Sequence, residues 1–396
     1  MSFLRGEHSF LSAALKHPSA RFVLLKDLAP LVKTPAELYL AQYAEVRKLV
    51  PEDFFDEPEE HMIKNFDSRK TRPHLIFLGL DESKKAGTLS WKIYSGAPCF
   101  ALDVTPNGSE EQQAHAKDII STMEAKGLEF FKSRIVMSLS ADEGPFISPF
   151  KFPPVRSAHI ILAAIYAQSR ALVDWNTRNR FCGTCGHPTL SVNSGTKRAC
   201  PPTDAAFIDQ GKQPERPACN TRTTISNLSF PRTDPTIIVA VISSDAKRIL
   251  LGRSKRFPPN WYSTLAGFIE PAESIEDAVR REVWEEAGVL LSRVVIHSSQ
   301  PWPYPANLMI GAIAQVSDPV HETICLEHDP ELEDARWFDV AEVEEALRIG
   351  TSSLGENAGP EYKEGGLRLP PPTAIANQLI QTAIRADYLV PNSARM

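Results

Sequence analysis

A chain of 396 residues is long enough for two or three domains, and 42% hydrophobic with 23% charged residues excludes a disordered protein. The formal net charge of −6 argues against a partner bound mainly through the nucleic-acid backbone, which requires a basic surface. No apolar run approaches the roughly 18 residues of a membrane helix, the N-terminus lacks the pattern of a secretory signal, and six Cys are too few for a disulfide scaffold. We therefore expect a soluble intracellular protein.

The N-terminal region, residues 1–176, mixes short apolar runs with polar turns and predicts an α+β domain in which we identify no chemistry. Most of its residues are expected to belong to the core and to turns rather than to a site. The predicted strands are 22–25, 74–80 and 98–104, and the predicted helices are 111–131 and 157–175.

The middle region, residues 177–231, is rich in Gly, Pro, Thr and Asn and carries four of the six Cys. Such a segment cannot build a core of its own, so it needs another source of stability. A C-x2-C pair and two later Cys predict one structural Zn²⁺ per chain, with the ligands Cys182, Cys185, Cys200 and Cys219. The stretch between the last two is interpreted as an inserted surface loop whose ends stay adjacent. The alternatives are His187 as a substitute ligand, and free or catalytic thiols.

The C-terminal region, residues 232–396, has the most regular pattern of the chain. The predicted strands are 235–243, 248–254, 265–269, 289–297, 308–316 and 335–338. The predicted helices are 275–287, 340–348 and 374–388. A stretch dense in Gly and Pro, 350–372, is predicted to be a long surface loop.

The predicted helix 275–287 is the most informative stretch. Ser274 is a suitable N-cap with Asp277 as its capping-box partner, and Gly288 can end the helix in a left-handed turn. Three carboxylates stand at i, i+3 and i+4 and share one face, where they repel one another: Glu282, Glu285 and Glu286. Such a cluster favours a cation, and hard carboxylate oxygens suit Mg²⁺ or Mn²⁺ bound to a diphosphate. A solvated, Glu-rich helix face is the alternative.

These carboxylates belong to a longer pattern that fits the Nudix box at every fixed position: Gly267-x5-Glu273-x7-Arg281-Glu282-hydrophobic-x-Glu285-Glu286-x-Gly288-hydrophobic. The chain therefore resembles the Nudix hydrolases. The resemblance implies an α/β/α sandwich with a mixed sheet, and hydrolysis, dependent on Mg²⁺ or Mn²⁺, of a nucleoside diphosphate linked to another moiety. It also implies these roles: Glu282, Glu286 and the carbonyl of Ala266 as metal ligands, Glu285 as a third ligand or the base, and Arg281 orienting the helix by pairing with Glu273.

Beyond the box, the segment 299–309 (SQPWPYPANLM) has three prolines within five residues, which predicts a rigid extended loop. Its Trp, Tyr, Gln and Asn, next to a phosphate site, suit stacking on a flat ring and hydrogen bonding to its edge. A structural turn with a core Trp is the alternative. The segment is similar to the S-Q-P-W-P-F-P-x-S signature of the NADH pyrophosphatase branch of the Nudix family, whose members also have a zinc ribbon and an N-terminal Nudix-like domain. Tyr304, Asn307 and the split second Cys pair depart from that branch.

The resemblance to this branch implies further residue roles. The nucleotide pocket would be lined by Phe230, Phe268, Gln300, Pro301, Trp302, Pro303, Tyr304, Pro305, Ala306, Asn307, Met309 and Ala376. Glu331 aligns with a further metal-binding carboxylate, although its neighbours alone would predict a solvated charge. The implied reaction is hydrolysis of NADH or NAD⁺ to AMP and reduced or oxidised nicotinamide mononucleotide. Members of the branch also remove NAD caps from RNA, an activity that the sequence leaves open for this chain.

Two other functions stay open: a diphosphatase for ADP-ribose or another nucleoside diphosphate derivative, and a non-catalytic module that senses nucleotides or binds partners through its zinc ribbon. The tripeptide Ala394-Arg395-Met396 is a variant of the S-K-L address bound by the peroxisomal import receptor. We therefore expect a peroxisomal location, or otherwise a cytoplasmic one. The resemblance also implies a homodimer.

Overall fold

A computed structural model describes residues 2–34, 37–82, 87–131, 158–207, 215–223 and 231–385. These residues form two compact units, unit 1 up to residue 232 and unit 2 from residue 233. Phe230, predicted to line the nucleotide pocket, and the predicted address 394–396 lie outside the described residues. Within those residues, no helix combines the length and the apolar character needed to cross a membrane.

Unit 1 contains a large mixed sheet with helices around it, followed by a short hairpin. Its strands are β1 (Arg21–Lys26), β2 (Ala29–Thr34), β3 (Glu37–Leu38), β4 (Leu40–Ala41), β5 (Leu75–Asp81), β6 (Leu89–Trp91), β7 (Tyr94–Asp103), β8 (Glu129–Phe130), β9 (Leu190–Val192) and β10 (Lys197–Ala199). Its α-helices are α1 (His8–Lys16), α2 (Tyr43–Val46), α3 (Glu59–Lys64), α4 (Glu110–Ala125), α5 (Ala158–Arg178) and α6 (Asn220–Thr223). The hairpin consists of β9 and β10.

The large sheet has the strand order β3–β2–β1–β7–β5, in which β1 and β7 are parallel and the other neighbours antiparallel. Strand β7 is buried along most of its length, as expected for a central strand covered on both faces. The ring of Phe100 on this strand lies 5.3 Å from that of Phe22 and 5.4 Å from that of Phe77, measured between centroids. The three apolar runs that predict strands therefore form three neighbouring strands of this sheet, β1, β7 and β5.

Unit 2 contains one mixed sheet with helices on both faces. Its strands are β11 (Asp234–Ile242), β12 (Arg248–Ser254), β13 (Leu265–Phe268), β14 (Leu291–Trp302), β15 (Asn307–Val316) and β16 (Leu332–Asp339). Its α-helices are α7 (Ile275–Ala287), α8 (Val340–Ile349) and α9 (Ile375–Ala383). The strand order is β14–β15–β11–β12–β16, with β13 paired to β11 and with β11 and β15 as the parallel pair.

The burial of β11 explains the layered architecture. Odd-numbered residues from Ile237 to Val241 pack in one cluster with the apolar stripe of α7, and even-numbered residues from Ile238 to Ile242 pack with α8 and α9. Because successive side chains of a strand point to opposite faces, a strand buried on both faces has a continuous apolar sequence. The predicted α/β/α sandwich with a mixed sheet is confirmed, and so is the N-terminal α+β domain that precedes it in the sequence.

Two predictions for unit 2 need correction. The sequence predicts a loop over 299–309, whereas β14 continues through Pro301 to Trp302 and pairs there with β15. Strand β14 lies at the edge of the sheet, where a proline is tolerated because one side of the strand has no ladder partner. The stretch 350–372 is irregular as predicted, but Leu367 and Leu369 are buried in the core, so it is not only a surface loop.

Candidate active site

Helix α7 carries the predicted carboxylates, and local chemistry fixes both of its ends. The Ser274 hydroxyl accepts a hydrogen bond from the Asp277 amide and caps the N-terminus. The same hydroxyl donates to the Asp277 carboxylate, which therefore does not reach the Ser274 backbone as a capping box would require. Gly288 ends the helix with φ of 73°, and its N–H donates to the Trp284 carbonyl at 2.8 Å.

Two glycines of the box are required for space. A Cβ atom at Gly267 would overlap the carboxylate of Glu282. At Gly288 a Cβ atom would lie 2.7 Å from the Cβ atom of Cys325, and the positive φ is one that other residues rarely adopt. These glycines therefore allow strand β13 and the chain around Cys325 to approach the helix closely.

Glu286 is the most buried of the three helix carboxylates, with 6% of its surface exposed. Burial raises the pKa of Glu286 to about 8, and the charges of Glu282 and Glu331 act in the same direction. Its carboxylate accepts a hydrogen bond from the backbone N–H of Ala266, while its Oε2 atom has no hydrogen-bond partner among the described residues. A buried acceptor without a partner is costly, so this oxygen is suited to a cation.

Arg281 links the acidic residues of the box. Its Nη1 atom lies 2.9 Å from Glu282 Oε1 and 2.8 Å from Glu285 Oε2. Its Nε and Nη2 atoms contact the two oxygens of Glu273 at 2.8 and 2.9 Å, and Nη2 also donates to the Phe268 carbonyl. The hydrogen bond to Glu273 is the main cause that raises the pKa of Arg281, so the guanidinium keeps its charge. The expected pair between Arg281 and Glu273 is present, and Arg281 in addition restrains two helix carboxylates.

Glu331 lies on an exposed segment before β16, close to the same carboxylate face. Its charge contributes to the raised pKa of both Glu282 and Glu286. For Glu282, burial is the larger cause, and the Arg281 charge opposes it. The structure therefore brings Glu331 toward the helix carboxylates, although its own surroundings in the sequence predict a solvated residue.

The four carboxylates are nevertheless held apart. Among the described residues, no three carboxylates place one oxygen each within 4.8 Å of one another. The donor set still fits Mg²⁺ or Mn²⁺, because it offers hard oxygens, one of which is buried without a partner. Ala266, which the resemblance implies to be a ligand through its carbonyl, contacts Glu286 through its N–H.

Gln300, which the resemblance places in the lining of the nucleotide pocket, uses both polar groups of its side chain within the protein. Its Nε2 atom donates to the Thr373 carbonyl and its Oε1 atom accepts from the Ile375 amide, both at 2.9 Å. The residue is 9% exposed. Gln300 therefore joins β14 to the start of α9, a role that no local sequence pattern indicates.

Residues 303–306 form the turn between β14 and β15. Three of the predicted pocket residues, Pro303, Pro305 and Ala306, therefore lie in this turn. The rings of Trp302 and Tyr304 meet edge to face with centroids 5.3 Å apart. Asn307 donates from Nδ2 to the Thr236 hydroxyl at 3.0 Å, and its buried Oδ1 atom has no hydrogen-bond partner in the described structure. The predicted aromatic and amide side chains thus lie together at one end of the sheet.

The remaining predicted pocket residues lie in two places. Met309 of β15 and Ala376 of α9 belong to the apolar cluster on the face of the sheet that α8 and α9 cover. Phe268 lies at the end of β13 with 58% of its surface exposed, and its carbonyl accepts a hydrogen bond from Arg281. An exposed ring next to the carboxylate helix is available for stacking on a ligand.

The four predicted zinc ligands lie together in unit 1. The Sγ atoms of Cys182 and Cys219 are 3.6 Å apart, those of Cys185 and Cys200 are 3.5 Å apart, and all four lie within 4.8 Å of one another. Such separations match a tetrahedron with Zn–S bonds of about 2.3 Å. The His187 ring contacts the Cys185 carbonyl instead, so the sulfur set is complete without it.

Comparisons with known proteins agree with this arrangement of parts. Residues 19–175 match the NADH pyrophosphatase-like rudimentary NUDIX domain, 177–207 the NADH pyrophosphatase zinc ribbon domain, and 233–354 the NUDIX domain. The chain is 35% identical to a protein of Macaca fascicularis named NAD-capped RNA hydrolase NUDT12, over 97% of this chain and 71% of the relative. The chain belongs to the Nudix hydrolases of the NADH pyrophosphatase type.

Two further relatives align with this Nudix hydrolase over most of its length and over most of their own. A protein of Schizosaccharomyces pombe named NAD-capped RNA hydrolase is 31% identical over 98% of this chain and 91% of its own length. A human protein named NAD(P)H pyrophosphatase NUDT13, mitochondrial, is 29% identical over 91% of this chain and 83% of its own length. The zinc ribbon match ends at residue 207, before Cys219, so the insertion interrupts the family pattern.

In this Nudix hydrolase, a buried ion pair closes the insertion between Cys200 and Cys219. Arg216 and Asp204 lie 2.5 Å apart, with only 4% and 2% of their side chains exposed. Asp204 also accepts a hydrogen bond from the Ser68 amide at 2.9 Å, and the Arg216 guanidinium lies over the Phe66 ring at 5.3 Å. The ends of the insertion lie next to each other, since Thr203 pairs with Glu215 and the Arg216 amide donates to the Pro202 carbonyl. Most of its described residues are at least partly exposed, as expected for a surface loop, but the Asp204–Arg216 pair is buried against the segment around Phe66 and Ser68.

Arg222 ties the insertion to the sulfur cluster. Its guanidinium donates to the carbonyls of Cys200, Pro217 and Pro201 at 2.9, 2.8 and 3.2 Å. Its Nη2 atom also lies 3.5 Å from the Cys200 sulfur. Arg222 therefore joins both ends of the insertion and places a positive charge beside the Cys200 sulfur, which suits a zinc ion with four anionic ligands.

Proposed function

We propose that this Nudix hydrolase cleaves the diphosphate bond of NADH and NAD⁺, giving AMP and reduced or oxidised nicotinamide mononucleotide, and that it also removes NAD caps from RNA. The observation that carries the proposal is the partly buried carboxylate face of α7, with Glu331 beside it and an unpaired oxygen on Glu286. The names of relatives that match nearly the whole chain support a nicotinamide dinucleotide as substrate.

Mg²⁺ or Mn²⁺ is the proposed catalytic cation, with Glu282, Glu286 and Glu331 as ligands and the carbonyl of Ala266 as a further one. When bound, the cation neutralises the diphosphate and lowers the pKa of the attacking water. The raised pKa of Glu286 supports this assignment, because a carboxyl group that is unfavourably charged when buried gains most from a cation.

Arg281 and Glu273 are proposed to hold the carboxylates in position. Arg281 restrains Glu282 and Glu285 from one side, and its pair with Glu273 fixes the guanidinium itself. Charges fixed before the substrate binds need little reorganisation during the reaction. Glu285 is the most exposed of the three helix carboxylates, at 34%, and is proposed to be either a third ligand or the base that takes a proton from the attacking water.

The end of the unit 2 sheet at which β14 turns into β15 is proposed to bind a flat ring of the substrate. Trp302 and Tyr304 offer ring surfaces, and Phe268 offers an exposed one near the carboxylates. The Oδ1 atom of Asn307, buried and without a partner in the described structure, can accept a hydrogen bond from an amino or amide group of that ring. A single structural Zn²⁺ is proposed for the four Cys.

The proposed reaction is tested by product analysis of NADH hydrolysis in ¹⁸O-labelled water with Mg²⁺ and with Mn²⁺. We expect AMP and reduced nicotinamide mononucleotide in equal amounts, with the label on one of them. The labelled product identifies the phosphorus that water attacks. NADH that stays intact with both cations, although the chain binds it, would favour the non-catalytic nucleotide-binding module instead.

Substrate choice is tested with NADH, NAD⁺, ADP-ribose and an RNA carrying a 5′ NAD cap, compared by kcat/KM under one set of conditions. We expect the nicotinamide substrates to be hydrolysed faster than ADP-ribose, because ADP-ribose lacks the second ring. Faster hydrolysis of ADP-ribose would reject the ring-binding role of the turn between β14 and β15, and would favour an ADP-ribose diphosphatase instead.

The homodimer and the peroxisomal location stay predictions. Light scattering during size-exclusion chromatography measures the mass of the particle, and a monomer would contradict the first. Imaging of a fluorescent fusion with and without residues 394–396 tests the second, and cytoplasmic fluorescence in both cases would contradict it.

A further inference from the structure

The segment of residues 325–331, here called the docking segment, lies against the C-terminal end of α7. The Cys325 amide donates to the Ala287 carbonyl at 2.9 Å, and the Asp329 amide donates to the Glu285 carbonyl at 3.1 Å. The last carbonyls of a helix have no partners within the helix, so they are available to such amides. The docking segment thus caps the helix, and it ends at Glu331.

His328 makes a two-point contact between the docking segment and one helix residue. Its ring stacks on the Trp284 ring, with centroids 4.3 Å apart and planes inclined by 28°. Its Nδ1 atom lies 3.0 Å from the Trp284 carbonyl oxygen. Because a carbonyl only accepts hydrogen bonds, Nδ1 must carry the proton in this contact. The imidazole is therefore fixed both in its plane and in its tautomer.

The chain next to Glu331 is fixed from a second direction. Lys255, just after β12, donates from Nζ to the Pro330 carbonyl at 2.7 Å. The Glu331 amide itself donates to the Asp329 carbonyl at 2.9 Å. The side chain of Glu331 therefore starts from a backbone held by the helix on one side and by Lys255 on the other.

The hydrophobic core anchors the docking segment at Leu326, which packs against the cluster that includes the apolar stripe of α7. His328, Pro330 and Glu331 are all exposed, so burial does not fix the part of the segment next to Glu331. An unrestrained surface segment would lose conformational freedom each time Glu331 took up its position beside the helix carboxylates. Trp284, 43% exposed on the helix, is the platform that prevents this loss at the His328 position.

We propose that His328 is a positioning residue that, through its contact with Trp284, holds Glu331 in place to bind the divalent cation together with Glu282 and Glu286. This inference rests on the proposed function, because the position of Glu331 matters only if these carboxylates bind the cation. His328 itself touches neither the cation nor the substrate in this role.

The test measures Mn²⁺ binding to the full chain without substrate, from the loss of the electron paramagnetic resonance signal of free Mn²⁺. His328→Ala removes both contacts and should weaken Mn²⁺ binding about tenfold. His328→Phe keeps the stack, and His328→Asn keeps a donor near the Nδ1 position, so each should lose part of that factor. The matched control is His297→Ala, which removes an exposed histidine of β14 and should leave the affinity unchanged.

A second measurement separates positioning from a general structural role. In a Glu331→Gln chain, in which Glu282 and Glu286 remain to bind Mn²⁺, adding His328→Ala should change the affinity by less than about twofold, because the pathway through Glu331 is already lost. Equal weakening in both backgrounds, or wild-type affinity in His328→Ala, would overturn the inference. If His328→Ala does not fold, the Phe and Asn variants decide in the same two backgrounds.

The activity of the same variants distinguishes this inference from the proposed function. With His328→Ala, the Mn²⁺ concentration for half-maximal NADH hydrolysis should rise by the same factor, about tenfold, while KM for NADH at saturating Mn²⁺ should stay within about twofold. Failure of the proposed function would differ, since the wild-type chain itself would then not hydrolyse NADH with bound Mn²⁺.

Discussion

The sulfur cluster of the zinc ribbon and the carboxylate face of α7 are both sets of anionic ligands, yet they are assembled differently. The four sulfurs lie within 4.8 Å of one another, and in the described structure no three carboxylates do so. Cys182 and Cys185 share one turn, whereas Cys200 and Cys219 lie at the two ends of the insertion, which Arg216 and Arg222 close. Three of the carboxylates come from one helix, whose geometry fixes their spacing.

The difference matches the two roles proposed for the ions. A closed set of four ligands suits an ion that stays bound and stabilises a segment without a core. An open set suits an ion that shares its coordination sphere with a diphosphate and a water molecule. The carboxylate face also carries a cost in the absence of an ion, since burial raises the pKa of Glu286 and Glu282. The ribbon is therefore expected to control stability, and the carboxylate face to control rate.

The largest expected effect is on the rate. Glu282→Gln and Glu286→Gln should each lower kcat/KM for NADH at least about 100-fold, because each removes a charged ligand of the cation. The unfolding temperature should not fall, because Gln keeps the shape of the side chain. Glu276→Gln, on the first turn of the same helix, is the matched control and should keep the wild-type rate. Wild-type turnover in both ligand variants would contradict the metal assignment.

Zinc removal should affect stability rather than the catalytic step. Elemental analysis should find about one zinc per chain, and Cys219→Ser should lose it and unfold the ribbon, since zinc binding contributes on the order of 10 kcal/mol in small peptides. Limited proteolysis within residues 177–223 measures the loss. Cys325→Ser, which changes a cysteine of unit 2, should keep the zinc. A fully folded wild-type chain without zinc would refute the ribbon half of the comparison.

Local sequence patterns predict the carboxylate face well, because nearly all its determinants lie within one helix. The predicted helix 275–287 has the bounds of α7, since Ser274, Gly288 and the apolar stripe act within a few residues of each other. The burial of β11 on both faces likewise follows from one continuous apolar run. Glu331 is different, because only resemblance assigns it a role, and its place depends on contacts with α7 from a distant segment.

What could not be predicted depends on residues far apart in the sequence. Asp204 accepts from Ser68, 136 positions away, and no local pattern marks either residue. Gln300 likewise has distant partners, since it bonds to the backbone of Thr373 and Ile375. The sequence predicts a loop at Pro301 because proline disfavours strands, but that rule does not apply at the edge position of β14.

The ion pair in the insertion should have the next largest effect on stability. Asp204→Ala leaves Arg216 buried without its partner and should lower the free energy of unfolding by about 3–5 kcal/mol. The double variant Asp204→Leu with Arg216→Met replaces the pair by apolar side chains and should lose much less. Urea denaturation measures both. Asp118→Ala, which breaks an exposed pair with Lys48, should cost less than about 1 kcal/mol. Equal losses in the single and double variants would contradict this account.

The smallest expected effect is a pH dependence in unit 1. Burial, with the charges of Arg198 and Arg180, lowers the pKa of His74 to about 4. The unfolded chain takes up this proton near the ordinary pKa of about 6.5. The stability that neutral His74 contributes is therefore fully present above that pH and is lost as the pH falls toward 4. Between pH 8 and pH 5 the loss at this site should be roughly 2 kcal/mol.

His74→Gln isolates this loss, because the variant cannot take up the proton while other groups of the chain still titrate. Glu286 gives the opposite pH dependence. Its pKa is raised in the folded chain, so without metal its contribution to the free energy of unfolding decreases as the pH rises. The free energy of unfolding of the wild type minus that of the variant should therefore decrease from pH 8 to pH 5, at constant zinc content. A difference that is independent of pH would show that His74 has its ordinary pKa in the folded chain, and that unit 1 lacks the acid sensitivity expected from this residue.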